Sequence, residues 1–466
     1  MRILLLKARL AEHFGHISPP LGLLYLSAYL KSLGHETRVL HLDATRLMDE
    51  GVAEVMKSFS PDIVGLSAIT AEADSMHALA ALSKASLPGV PVIAGGPYPS
   101  GYDEECLADS NIDAVARGEG ELTLAEIAGR IGRGEDLSGV AGVTRRNPSG
   151  GVFREPDRSF IPNLDDLPMP DWEAVNRDIY SMFVPHTPLL YGKRYLGVLT
   201  SRGCPYKCVF CHAIMGKCFR PHSVSRVVSE IELLYRTYGV ERIEVLDDTF
   251  NLDRERALAI FSELGKRKLP VRLYICGIRA DLLDAAMIDA MAAAGVVYVG
   301  MGIESASPAT QAVIGKNLDL DKVKANCELL SRKGIFTTAS FLLGLPGESV
   351  MDCVRTLCFA SRLKIHTAMI SSLRAYKGSA LASSVPAAAL ITEKNDRGTY
   401  SGLSPTPSCS SIAPWKLSLL KIAGNLLFYL YPFRLFRILR DIPEPDSKVL
   451  RLFLRKFMER TFLPGK

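Results

Sequence analysis

The chain has no long apolar run. Its N-terminal Ile3-Leu4-Leu5-Leu6 ends at Lys7, too short for the apolar region of a secretory signal. The uncharged core of the tail, Ile422 to Phe433, is twelve residues long and contains Pro432, against the roughly 20 that a membrane-spanning helix needs. A cytoplasmic, reducing location is the expectation. Net charge is also small outside one region. Ser411 to Lys466 carries eleven Lys/Arg and four Asp/Glu, a net +7 of the chain's +5, which leaves the body at −2. A body of that sign is no basic nucleic-acid platform, and no nucleic-acid partner is expected. No G-x-G-x-x-G follows the first apolar strand, which argues against a dinucleotide site. What remains is ordinary globular material, 48% hydrophobic and 23% charged over 466 residues, a length for roughly two to four domains.

The cysteines that are present are unevenly spread. Three of the ten fall in Cys204-Pro205-Tyr206-Lys207-Cys208-Val209-Phe210-Cys211, just after the apolar run Tyr195 to Leu199. Thiolates this dense in a loop after a strand suit a soft metal or an iron–sulfur cluster. A four-iron cluster usually takes four cysteines, so three leave one iron open to activate something else. A structural zinc site completed by His212 or Cys218 is the ordinary alternative. Against it, adjacent Cys211 and His212 point apart on an extended chain, and zinc knuckles pair two C-x-x-C turns. Disulfides fit neither the spacing nor the location. The C-x-x-x-C-x-x-C pattern with Phe210 before the third cysteine resembles the signature of the radical S-adenosylmethionine (SAM) superfamily.

From Met1 to about Arg133, candidate strands at Ile3–Leu6, Thr37–Leu42, Ile63–Ser67 and Val92–Ala94 alternate with helical patterns at Leu21–Leu33, Val52–Phe59 and Ala71–Ser86. That is the pattern of a doubly wound parallel sheet. Ligands of such sheets bind beyond the carboxyl ends of the strands, where Ser67 and Gly95-Gly96 fall. Pro19-Pro20-Leu21-Gly22, Ser67, Gly95-Gly96 and Arg117-Gly118-Glu119-Gly120-Glu121 together resemble the cobalamin-binding domain found ahead of many radical SAM barrels. The D-x-H-x-x-G of many such domains is missing: His13, His16, His35 and His77 lie outside that frame. The resemblance therefore implies cobalamin held without a protein imidazole, or a degenerate domain.

The expected division is 1–135 for this Rossmann-like domain, 136–193 for a Gly/Pro/Asp-rich linker, 194–380 for the barrel and 381–466 for a mostly helical extension. Six strands are expected in the barrel, at Leu196–Thr200, Arg242–Asp247, Arg272–Cys276, Val296–Met301, Ile335–Leu342 and Ala368–Leu373. Six are too few for a closed eight-stranded barrel and match the partial (β/α)6 barrel of the resembled family. Unusual polar motifs follow the first five strands, where β/α barrels keep their active residues.

By resemblance these motifs bind SAM. Asp247 or Asp248 would accept from its amino group, Arg279 would hold its carboxylate, and Glu304 its ribose. Gly344, Pro346, Gly347 and Glu348 would flank adenine. The Asp pair replaces a G-G-E found in many members. Singly, each has an ordinary explanation: a helix cap for Asp248, a surface ion pair for Arg279, a plain turn for Gly347-Glu348. Cys276, Cys327, Cys353 and Cys358 read as core, while Cys218 and Tyr376 lie near the site without an assigned role.

The resemblance implies a 4Fe-4S cluster, SAM and cobalamin as cofactors and flavodoxin or ferredoxin as electron donor. The implied reaction makes a 5′-deoxyadenosyl radical and methylates an unactivated carbon of a small-molecule or lipid-like substrate. Its alternatives are a radical cyclase or ring-rearranging oxidoreductase, such as the anaerobic chlorophyll-ring cyclase, and a non-catalytic iron–sulfur or corrinoid sensor. A tRNA methylthiotransferase would need a second three-cysteine cluster, absent from the N-terminal third. In the tail, Phe428, Tyr429, Tyr431 and Phe433 precede Arg434, Arg437 and Arg440. Such a stretch either caps the barrel with its apolar side inward or makes peripheral contact with an anionic membrane.

Overall fold

A computed structural model describes residues 1–10, 16–147, 149–212, 214–385, 390–391 and 408–461. The chain forms two compact units, one spanning Met1–Tyr180 and the other beginning at Ser181.

In the first unit, strand β1 (Arg2–Lys7) is buried along four successive residues, as expected of a parallel strand covered on both faces. Helix α1 (Leu21–Ser32) stops where Gly34 turns left-handed and the amide of His35 reaches back to the Leu30 carbonyl at 3.1 Å. There follow β2 (Glu36–His41), α2 (Asp49–Phe59), β3 (Ile63–Ser67), α3 (Ala73–Ser86), β4 (Val92–Gly95), β5 (Ala114–Ala116) and α4 (Glu121–Gly132). The stretch expected as a linker also contributes strands, β6 (Val143–Arg146) and β7 (Val152–Arg154). They are joined by a turn in which the Asn147 side chain accepts from the Gly151 amide at 2.7 Å. The sheet runs β2-β1-β3-β4-β5-β6-β7, parallel through β5 and antiparallel beyond. Sequence order reverses between β1 and β3, which is the ligand crevice of such sheets.

The second unit holds six parallel strands: β8 (Leu196–Val198), β9 (Arg242–Val245), β10 (Arg272–Ile278), β11 (Val296–Glu304), β12 (Phe336–Leu343) and β13 (Thr367–Ser372). They pair in chain order, and among the described residues β8 and β13 are the two edges. The helices between them are α5 (Val224–Tyr238), α6 (Arg254–Arg267), α7 (Ala285–Ala293), α8 (Leu320–Arg332) and α9 (Val350–Arg362). Each begins at a side-chain cap: Ser223, Asp253, Asp284, Asp319 and Ser349 accept from the amide three residues on. Three tail helices, α10 (Pro414–Tyr429), α11 (Arg434–Asp441) and α12 (Ser447–Thr461), complete the unit, and α10 lies on α9 and β13. No helix among the described residues is long and apolar enough to cross a membrane.

Candidate functional site

The cysteine loop leaves the carboxyl end of β8 and is strung between two later segments. The Val209 amide donates to the Ile314 carbonyl at 3.1 Å, and the Val209 carbonyl accepts from the Leu381 amide at 2.8 Å. Gly203 precedes the first cysteine with φ +81°. A Cβ there would meet the carbonyls of Cys218 and Met215, so no other residue fits. Cys204, Cys211, His212, Met215, Gly216 and Asp248 line one cavity. Cys204 Sγ lies 3.4 Å from Thr249 Oγ1, and Cys208 Sγ lies 3.9 Å from the Gly315 carbonyl. Cys218 is exposed beyond this group.

Burial pushes the thiols of Cys208 and Cys211 up, and their neighbours' sulfurs add to it. Lys316 and then Arg279 oppose the shift at Cys208, as Lys217 does at Cys211. Left alone such thiols stay protonated; a bound cationic iron centre is what stabilises them as thiolates. Among the described residues no three His, Cys, Asp or Glu side chains converge closely enough to hold a single ion. Two of the three thiols, Cys204 and Cys211, line the cavity, and Cys208 follows on the same loop; three cysteines so placed suit a polynuclear group with one sulfur per iron, so the donor set fits an iron–sulfur cluster.

The remaining expected residues separate into two kinds. Asp247 does not face the cavity. Its buried carboxylate accepts from the Thr200 amide at 2.6 Å, the Thr200 hydroxyl at 2.5 Å and the Ser201 hydroxyl at 2.6 Å, tying β9 to the base of the cysteine loop. Asp248 is the exposed member of the pair, and it faces the cavity. Arg279, expected to hold a carboxylate of SAM, already holds one. Asp281 accepts from its guanidinium at 2.9 and 3.2 Å, the Lys316 carbonyl accepts at 2.8 Å, and its Cζ lies 3.8 Å from the Tyr206 ring centre. It thereby ties Tyr206 of the cysteine loop to Asp281 and Lys316, in a largely buried ion pair rather than the surface one of the ordinary reading. Glu348 turns back to accept from the amides of Gly344 and Leu345 at 2.7 and 3.0 Å, closing its own loop. Gly344 and Gly347 both adopt positive φ in that turn, with Pro346 between them. Glu304 is buried in the left-handed region at φ +68° and paired with Lys316 at 2.9 Å, with Ser340 Oγ at 3.3 Å. A non-glycine residue in that region is held there against strain by its surroundings. Lys316 went unnoticed in the sequence because a single lysine in Gly315-Lys316-Asn317 carries no pattern.

In the first unit Lys7, Ser67 and Gly95 are register partners at the carboxyl edge of β1, β3 and β4. Gly96 has φ +92°, and a Cβ there would sit 3.0 Å from Ser67 Oγ and 3.1 Å from the Ala68 carbonyl. This small-residue edge at the crevice fits the close approach of a large planar group. His77 is occupied on α3, bound to Asp109 at 2.7 Å. His41, outside the expected set, is buried against Tyr180 Oη at 3.2 Å, and burial lowers it to about 3, so it stays neutral. His13 lies outside the described residues.

Comparison with known proteins divides the chain at the same two modules. The B12 binding domain family matches residues 9–128 and the radical SAM superfamily matches residues 198–360. The chain is 32% identical over 444 residues to an uncharacterized methyltransferase of Pyrococcus horikoshii, PH0819, covering 95% of this chain and 94% of that one. It is 28% identical to the cytidylyl-2-hydroxyethylphosphonate methyltransferase of Streptomyces wedmorensis, covering 78% and 77%. The fold is similar to that of the radical SAM methyltransferase TsrM of Kitasatospora setae, solved with cobalamin and a 4Fe-4S cluster bound. That match has a TM-score of 0.69 at 20% identity, covering 81% of this chain and 73% of that one.

Proposed function

Because this chain belongs to the radical SAM superfamily, in the group that carries a B12-binding domain ahead of the radical SAM domain, we propose that it methylates an unactivated carbon of a small-molecule or lipid-like substrate. The observation that carries the reading is the loop of Cys204, Cys208 and Cys211 at the carboxyl end of a six-stranded parallel sheet, with Asp248 on the cavity that Cys204 and Cys211 line.

When bound, the cluster with SAM supplies a one-electron route to a reactive carbon radical, and the corrinoid supplies a transferable methyl group. The chain's own residues hold the frame. The thiols of Cys204, Cys208 and Cys211 would hold the cluster as thiolates, having released their protons. Asp248 would accept from the SAM amino group, while Asp247 and Arg279 fix the loop from two sides. Lys316 pairs with Glu304, whose carboxylate would hold the ribose hydroxyls. In the first unit Ser67, Gly95 and Gly96 offer backbone to the corrin face without a histidine from that edge. A flavodoxin- or ferredoxin-type carrier supplies the electron. Product mass tests the reaction: incubation of the reconstituted protein with its substrate should add one methylene, whereas loss of hydrogens or gain of oxygen would assign it to cyclisation or oxidation.

A further inference from the structure

The tail presents a run of exposed apolar side chains along α10 and α11. On α10, Trp415, Leu419, Ala423 and Leu427 recur every fourth residue and all are exposed, whereas Leu417, Lys421, Gly424 and Phe428 are buried. The inner face caps β13 and α9, and α12 also packs on this helix; among the described residues the side chains of the outer row stay exposed. The row continues through Leu430 and Phe433, 74% and 80% exposed, onto α11 as Leu435, Phe436 and Leu439. At 1.5 Å per residue the α10 portion alone runs roughly 20 Å. A contiguous patch of such side chains marks a contact surface rather than chance exposure.

Charge decides what that contact is. From Ile412 to Arg440 the chain has Lys416, Lys421, Arg434, Arg437 and Arg440 and no acidic residue. Arg434 is buried over the Phe428 ring at 4.0 Å and donates to the carbonyls of Ser361, Leu363 and Ile365, so no carboxylate offsets it. Around α11, the 100° step per residue puts Leu435, Leu439 and Phe436 on one side and Arg440 and Arg437 on the next. Those two arginines, with Arg332 and Lys364, line a cavity of about 450 Å³. Its acidic lining residues are Glu328 and Asp441, and Asp441 is already bound by His366 at 3.0 Å and by Arg440. Four cations therefore face two acids. A second copy of the chain would bring the same cations, unrelieved, against this ridge.

We propose that the α10–α11 ridge docks on an anionic phospholipid bilayer. The side chains from Leu430 to Leu439 enter the boundary between headgroups and acyl chains, and the adjoining cavity takes a headgroup phosphate. Nothing in this depends on which group the enzyme transfers.

Flotation of the full chain with vesicles of phosphatidylcholine, alone or mixed with roughly one third phosphatidylglycerol, tests it. Binding to the mixed vesicles should exceed binding to neutral ones at least tenfold and should weaken with salt. The triple variant Leu430→Ser, Phe433→Ser, Phe436→Ser should abolish it. The exposed pair Arg332→Glu and Lys364→Glu should weaken it tenfold or more. Both variants should melt with the wild type, because none of the five side chains is buried. The proposal is overturned if the folded wild type ignores anionic vesicles, or if it binds both kinds equally. Sedimentation showing a dimer that the ridge variant dissociates would assign the surface to a second copy instead. Protection of the melt by inorganic phosphate without vesicle binding would make the cavity a free-anion site.

Discussion

Asp247 and Asp248 are adjacent in sequence and do different work, because alternate residues leaving a strand end point to opposite sides. Asp247 closes three hydrogen bonds inside the protein, so Asp247→Asn should leave buried donors unsatisfied and cost about 1–3 kcal/mol of stability. Asp248→Asn should leave the melting temperature unchanged and weaken SAM binding, on the order of 10- to 100-fold for loss of a hydrogen bond to a charged group. Melting curves and SAM titration of the two variants should show these effects uncrossed. A third acid nearby titrates in an accessible range. Glu230 is buried beside Arg226, and burial pushes its carboxyl up to about 7 from 4.5. A folded value above the unfolded one means its share of stability is complete below pH 4.5 and is lost as pH rises through 7. Glu230→Gln should therefore gain on the wild type between pH 5 and 8, by up to about 3 kcal/mol. A melting difference that is flat over that range would contradict the assignment. None of this was legible in the sequence: spacing places an acid at a strand end, but which way its carboxylate turns depends on Thr200, Ser201 and Arg226, brought up by other segments.

The cysteine loop is held by elements rather than by its own sequence. Arg279, from the end of β10, stacks on Tyr206 and is fixed by Asp281 and the Lys316 carbonyl. Arg279→Lys keeps the charge and loses the planar stacking and the fork. It should lower the iron retained after anaerobic reconstitution while leaving SAM affinity per intact cluster unchanged. If SAM affinity falls with iron content intact, Arg279 holds the substrate carboxylate instead. The elements themselves were readable. Helices α5 to α9 start at Ser or Asp caps and follow apolar spacing, and the six strands sit where runs of buried β-formers predict them. Strands β6 and β7 were not, since Val152, Phe153 and Arg154 are exposed on an edge and Gly/Pro-rich turns on either side read as connector.

At the scale of the molecule, a sheet with a reversal point and a six-stranded parallel sheet each place their small or sulfur-bearing residues at the carboxyl ends of their strands. The sequence showed both because motif and strand end coincide in it, at Gly95-Gly96 and at Cys204 to Cys211. For the tail the sequence left both a cap and a peripheral membrane contact open, because only the packing of β13 and α9 on α10 separates its buried face from its exposed one. In the proposed function Cys204, Cys208 and Cys211 hold one iron–sulfur cluster that cleaves SAM. Anaerobic reconstitution of the wild type and of each single Cys→Ala variant, followed by visible absorbance and SAM turnover, tests it most directly. Each of the three variants should lose both the sulfur-to-iron absorbance and SAM cleavage, while Cys218→Ala keeps both; a Cys204→Ala protein that retains its cluster and still cleaves SAM would rule out these three cysteines as its ligands.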